Sequence, residues 1–163
     1  MKPTDTVTIF CDGACSISGS RARHGGWAAI LVYQDVEKVI SGHSYPETNQ
    51  TMELQALIGG LQALKRRCHV EFWSDSQYLV KGVNEWLESW RRREWHTSEN
   101  ERVKNQSYWK EIERLKNIHD IHGNWVRGHT NRKGKNHVYN ARCDELAVAE
   151  AWNSYRDLTG EKA

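Results

Sequence analysis

The sequence predicts an α/β fold: a five-stranded mixed sheet, its first three strands antiparallel, flanked by helices. Three observations predict it. Strand-length apolar runs fill the first third of the chain, the apolar spacing lengthens to a helical period from Thr51, and two later strand-like runs are separated by helical stretches long enough for crossovers. No repeat, low-complexity tract or Pro/Gly/Ser linker interrupts the 163 residues. One domain is therefore expected over 1–163, with a core at about 6–152 and a C-terminal tail at 153–163.

The elements follow in order. "VTIFC" alternates as a strand, "WAAILVY" reads as a second after a glycine-containing loop, and roughly "EKVISGHS" as a third. Loops of that length suit an antiparallel meander. Leu54, Leu57, Ile58, Leu61 and Leu64 then form the apolar stripe of a helix, within which Gly59-Gly60 costs about 1 kcal/mol per residue against alanine and so predicts a close packing contact. "HVEFW" is the fourth strand. Ser74-Asp75-Ser76 signals a helix N-cap, and Leu79, Val83, Trp86, Leu87 and Trp90 continue at helical spacing. After the polar loop "TSENERVKNQ", Tyr108, Ile112, Leu115 and Ile118 mark another helix; "NWVRG" is a short strand, Thr130 to Tyr139 a polar loop, and a last helix starts near Asn140.

Composition narrows the function classes. Nothing near the start resembles a membrane span or a signal peptide, so a protein of the cytoplasm with no membrane partner is expected. Cys11, Cys15, Cys68 and Cys143 include no C-x-x-C pair, which favours free, largely buried thiols. A net charge of +2 diagnoses no nucleic-acid partner by itself. Arg91-Arg92-Arg93, however, lies between Trp90 and Trp95, with Trp86 and Trp109 nearby. Such a segment suits a nucleic-acid strand stacked on aromatic faces, or a solvated helix with its tryptophans turned inward.

The acids carry the chemistry. In "FCDGAC", Asp12 stands where the first strand should leave the sheet, and the Asp-Gly pair alone reads as a tight turn. Asp75 ends the fourth strand, while Glu53 and Asp144 lie in the expected first turns of the first long helix and the last one. Strand ends and helix starts on one side of an α/β sheet are where such folds build sites. If the four carboxylates converge, mutual repulsion raises their pKa values unless hard cations neutralise them. Two such ions about 4 Å apart activate a water on one side of a phosphodiester and stabilise the leaving oxygen on the other.

"CDGAC", "TNQTMEL", "WSDSQYLVKGV", "VRGHT" and "NARCDELA" occur in the order and approximate spacing of the type 1 ribonuclease H family, and the resemblance runs from the first strand to the last helix. It implies the ribonuclease H-like fold and an endonuclease that hydrolyses the RNA strand of an RNA/DNA hybrid, leaving 5′-phosphate and 3′-hydroxyl ends. By that resemblance Asp12, Glu53, Asp75 and Asp144 hold two Mg²⁺ ions, which Mn²⁺ can replace. His129 becomes a mobile histidine assisting product release or proton transfer. Asn49, Gln50 and Gln77 reach base edges or sugars in the minor groove, and Thr48 and Asn105 grip a DNA phosphate. Trp86 and Trp90 resemble the aromatic pair beside the DNA strand, and Gly13 and Cys15 lie at the substrate, the glycine letting an RNA backbone approach. A monomer is expected.

Two loops depart from the family pattern. "SISGSRARH" replaces a short Gly-Asn-Pro-Gly loop and leaves no clear counterpart of its asparagine, and "TNRKGKNHVYN" is longer and carries Arg132, Lys133 and Lys135, with His137 as a second histidine. No hybrid-binding domain is expected ahead of the first strand. Two other readings compete: a proofreading-type 3′ to 5′ exonuclease, which favours Asp-x-Glu where this chain has Asp12-Gly13-Ala14, and a catalytically dead hybrid-binding module, against which all four acids argue.

Overall fold

The computed structural model describes residues 6–16, 23–128 and 133–160. Strands β1 (Thr6–Cys15), β2 (Gly25–Tyr33) and β3 (Val36–Ser44) form the antiparallel meander, followed by helix α1 (Asn49–Gln62) and strand β4 (His69–Ser74). Helix α2 (Gln77–Lys81) passes through a π-helical turn (Gly82–Trp86) into α3 (Leu87–Arg92); α4 (Gln106–Ile118), β5 (Asp120–Trp125) and α5 (Lys135–Thr159) complete the chain. The sheet order is β3-β2-β1-β4-β5, with β1 antiparallel to β2 and parallel to β4. β4 and β5 are also parallel, so the expected mixed sheet is present.

The sheet has two unequal faces. On one, Ile9, Ala29 and Phe72 meet Leu54, Leu57 and Leu61 of α1, Leu79 of α2, and Trp109 and Ile112 of α4, all fully buried. On the other, α5 covers β1 and β2 through Phe10, Ile30 and Cys143. Gly59 explains its own helix cost: a Cβ there would stand 2.4 Å from the Trp27 ring, so α1 rides on that indole. None of the four cysteines, all among the described residues, forms a disulfide, and all but Cys15 are buried.

Several boundaries differ from the sequence reading. β1 does not leave the sheet at Asp12 but pairs with β2 as far as Cys15↔Gly25, so Asp-Gly is strand and not turn. β5 sits earlier than "NWVRG", because its register with β4 runs from His69↔Asp120 to Ser74↔Trp125. The helix after β4 is not uniform, its middle being the π-helical turn. α5 begins at Lys135, five residues before the expected start, because Tyr139 stacks on Phe10 (ring centroids 4.3 Å apart) and Arg142 forks onto Glu37. These contacts hold a polar stretch in a helix that its own propensity would not. At the other end, residues 153–159 are helix and not tail: Ser154 is buried and its hydroxyl donates to the Ser44 carbonyl.

Candidate active site

Strand register builds the centre. β1 and β4 run parallel with Phe10 opposite Trp73, so two residues further on Asp12 and Asp75 stand side by side where β4 has ended. Past that point β1 has only β2 beside it in the sheet. α1 closes the third side. Glu53 is its fifth residue, beyond the expected first turn, and the helix approaches so closely that a Cβ on Gly13 would lie 2.3 Å from the Met52 carbonyl carbon. The close approach that demands glycine at position 13 is thus to α1.

Asp12, Glu53 and Asp75 each offer an oxygen within 4.8 Å of those of the other two. Asp12 is 2% exposed, and its carboxyl is pushed far above the usual carboxylate range, first by burial and then by Glu53, Asp75 and Asp144. Glu53 is raised for the same reasons, burial first and Asp75 next, while the Gly13 N–H pulls the other way. The two carboxyls act on each other at close range. Glu53 Oε2 is nevertheless buried without a partner.

Asp144 comes from the far side. With α5 starting at Lys135 it stands in the third turn and not the first, lining with Asp75 a cavity of about 120 Å³ that Arg127, His137 and Asn140 also line. It lies outside the tight group of three, yet near enough to act on both Asp12 and Glu53. The sequence reading passed over the residues that hold Asp75. Asn140, itself buried, donates from Nδ2 to Asp75 Oδ2 at 3.4 Å, and Trp125 Nε1 donates to the Asp75 carbonyl at 3.1 Å. Gly128 passes so near that a Cβ would come 2.4 Å from Asp75 Oδ2. Asn140 opens the block "NARCDELA" and Gly128 stands in "VRGHT", signals that could have marked them; Trp125 carried none. His129 and Arg132 lie outside the described residues.

The expected substrate-contacting residues take the following positions. Thr48 is the N-cap of α1 in a reciprocal capping box with Thr51, and Asn49 and Gln50 follow on the first turn, Thr48 and Asn49 exposed. Cys15 ends β1, its Sγ 3.3 Å from the Glu47 carbonyl. Gln77 is exposed at the start of α2. Asn105 takes the left-handed conformation (φ 59°) at the N-cap of α4 and donates to the Tyr78 hydroxyl, which also receives the Trp109 indole N–H. Trp86 and Trp90 are half-buried, their rings 5.7 Å apart, against Tyr78 and the fully buried Trp109. Both readings of the tryptophans therefore keep a basis: part of each ring is core and part is surface.

Clustered carboxylates at the strand ends of such a mixed sheet define a class, the divalent-cation-dependent phosphodiester hydrolases built on acids. The comparisons narrow the class. The RNase H family profile matches residues 4–152. A ribonuclease H of Pseudomonas fluorescens is 44% identical over 144 residues, covering 88% of this chain and 91% of its own. One from Acetivibrio thermocellus is 46% identical over 145 residues, covering 88% and 93%. Among solved structures, a type 1 RNase H with the type 2 active-site motif superposes with a TM-score of 0.80 at 26% identity, over 94% of this chain and 75% of that one. The chain belongs to the ribonuclease H family.

Proposed function

We infer that the carboxylate cluster hydrolyses the RNA strand of RNA/DNA hybrids by endonucleolytic attack of water, leaving 5′-phosphate and 3′-hydroxyl ends. The observation that carries the reading is the convergence of Asp12, Glu53 and Asp75 within 4.8 Å, with Asp144 across the adjoining cavity. The donor set fits hard cations: all ligands are carboxylate oxygens, one of them buried without a partner. Asp12, Glu53, Asp75 and Asp144 would hold two Mg²⁺ ions between them. When bound, such ions activate the attacking water and stabilise the leaving 3′ oxygen. Mn²⁺, with the same preference for oxygen, can replace Mg²⁺.

The protein's own groups do the rest. Asn140, the Trp125 indole and the close pass of Gly128 hold Asp75 in place. Asn49, Gln50 and Gln77 form the face that reads the minor groove, Gly13 and Cys15 lie at the substrate, and Thr48, Asn105, Trp86 and Trp90 lie along the DNA strand. His129 assists proton transfer or product release. Among the described residues no helix is long and apolar enough to cross a membrane, and the chain acts as a cytoplasmic monomer.

A labelled RNA/DNA hybrid incubated with Mg²⁺, beside RNA/RNA and DNA/DNA duplexes, tests the reading. Cleavage of the hybrid RNA alone is expected, including on a circular hybrid that an exonuclease cannot enter. Products ending in 2′,3′-cyclic phosphate, or cleavage persisting in EDTA, would overturn it.

A further inference from the structure

Between the end of β3 at Ser44 and the start of α1 at Asn49, residues 45–48 carry the chain from the sheet to the helix that holds Glu53. A link so short takes its direction from side chains. Glu47 receives three hydroxyls on its carboxylate: Ser44 at 2.9 Å, Thr51 at 2.7 Å and Tyr108 at 3.2 Å. Its N–H donates to the Arg23 carbonyl at 2.8 Å, and its own carbonyl accepts from Cys15 Sγ at 3.3 Å. One residue thus ties the ends of β1 and β3, the segment before β2, and helices α1 and α4.

The bond to Thr51 matters most. A capping box ordinarily places Glu or Gln at the third helical position, where its side chain receives the N-cap N–H. Here that position is Thr51, whose Oγ1 accepts the Thr48 N–H at 3.0 Å. A hydroxyl has a single hydrogen to give, and the shortest contact of Thr51 Oγ1 is the 2.7 Å one to Glu47. The acid usually found inside the box has moved one residue ahead of the cap and works through the threonine. An anion ahead of a helix N-terminus is also well placed for the helix dipole.

We propose that Glu47 is a positioning residue for hybrid binding, setting the α1 N-terminus that presents Thr48, Asn49 and Gln50, together with the end of β1 at Cys15. The proposal rests on the substrate face assigned above. It makes a prediction of sign. A negative charge beside groups that meet phosphate opposes binding, so a Glu47 acting through charge alone would bind hybrid more tightly once neutralised. One acting through position binds more weakly when its acceptors are removed.

Steady-state cleavage of a hybrid with Mg²⁺, run well below each variant's melting temperature, separates the two. Glu47→Ala is expected to raise KM about tenfold, the size of losing a charge-assisted hydrogen bond, with kcat within about twofold of wild type. Glu47→Gln, keeping one acceptor oxygen, should fall between. Tyr108→Phe removes one donor and leaves the rest, so it should raise KM about threefold, which keeps the test open if Glu47→Ala folds poorly. Hybrid affinity by fluorescence anisotropy in EDTA should weaken by the same factors. That arm judges Glu47 without cleavage, so a wild type that binds hybrid and never cuts it would fail the catalytic reading alone. Unchanged or lowered KM in Glu47→Ala, or a loss confined to kcat, would overturn the proposal.

Discussion

Replacing Asp12 with asparagine should abolish cleavage and yet stabilise the metal-free protein. The side chain keeps its shape and loses the charge that burial and three neighbouring acids make costly. In an unfolded chain an aspartate titrates near 4, whereas in the fold Asp12 holds its proton far above that. From about pH 4 upward the folded state therefore binds a proton that the unfolded state has released. Stability from this group is complete below that pH and is lost as pH rises toward the folded value. Each such proton is worth about 1.4 kcal/mol per pH unit, so two units between about pH 5.5 and 7.5 cost roughly 2–3 kcal/mol. Asp12→Asn removes most of that slope. For a domain of this size a change of 2–3 kcal/mol corresponds to roughly 4–12 °C in Tm. Thermal melts in EDTA at the two pH values measure it, with Glu53, also raised by burial, leaving a residual slope in the variant. Mg²⁺ should stabilise wild type more than the variant. An Asp12→Asn protein that melts at or below wild type at the higher pH, or with an equal pH slope, would refute the argument.

Asp75→Asn and Glu53→Gln should each lose most turnover at ordinary Mg²⁺ with folding intact; hybrid cleavage and circular dichroism together check this, and near wild-type kcat in either removes that residue from the metal set. His129→Ala should lower kcat more than it raises KM, by about 10² to 10⁴, the range of general acid-base assistance. If His137→Ala is impaired instead, the histidine lining the cavity beside Asp75 and Asp144 has taken over that task. Changing Arg132, Lys133 and Lys135 together to alanine should weaken hybrid binding at low salt and flatten log Kd against log salt by somewhat less than one unit per lost phosphate contact. An unchanged slope would mean that this loop does not touch the substrate.

Legibility varied with the range of the interaction that decides each feature. The α1 stripe from Leu54 to Leu64 and the alternation of "VTIFC" are periodic within a few residues, so they identified a helix and a strand directly. Ser76 signalled the start of α2, where its hydroxyl accepts the Leu79 N–H. "KNHVYN" reads as loop because nothing local favours helix; Phe10 and Glu37, more than a hundred residues away, supply what does. Asp12 looked like a turn because only the pairing with β2 shows that the strand continues. The role of Glu47 was invisible for the same reason, since its hydroxyl donors are spread from Ser44 to Tyr108.

By itself the sequence singled out Asp12, Glu53, Asp75 and Asp144 as candidates among 21 acidic residues, and it determined the motif blocks around them and the helical or strand period of most segments, because each is written in adjacent residues. Only the tertiary structure decided that Asp12, Glu53 and Asp75 meet within 4.8 Å, with Asp144 set apart across a cavity, and that burial among these acids pushes the Asp12 carboxyl upward. Those facts follow from the parallel register of β1 on β4 and the closeness of α1 to Gly13. A shift of one residue in that register would turn a strand's side chains to the opposite face and scatter the same acids.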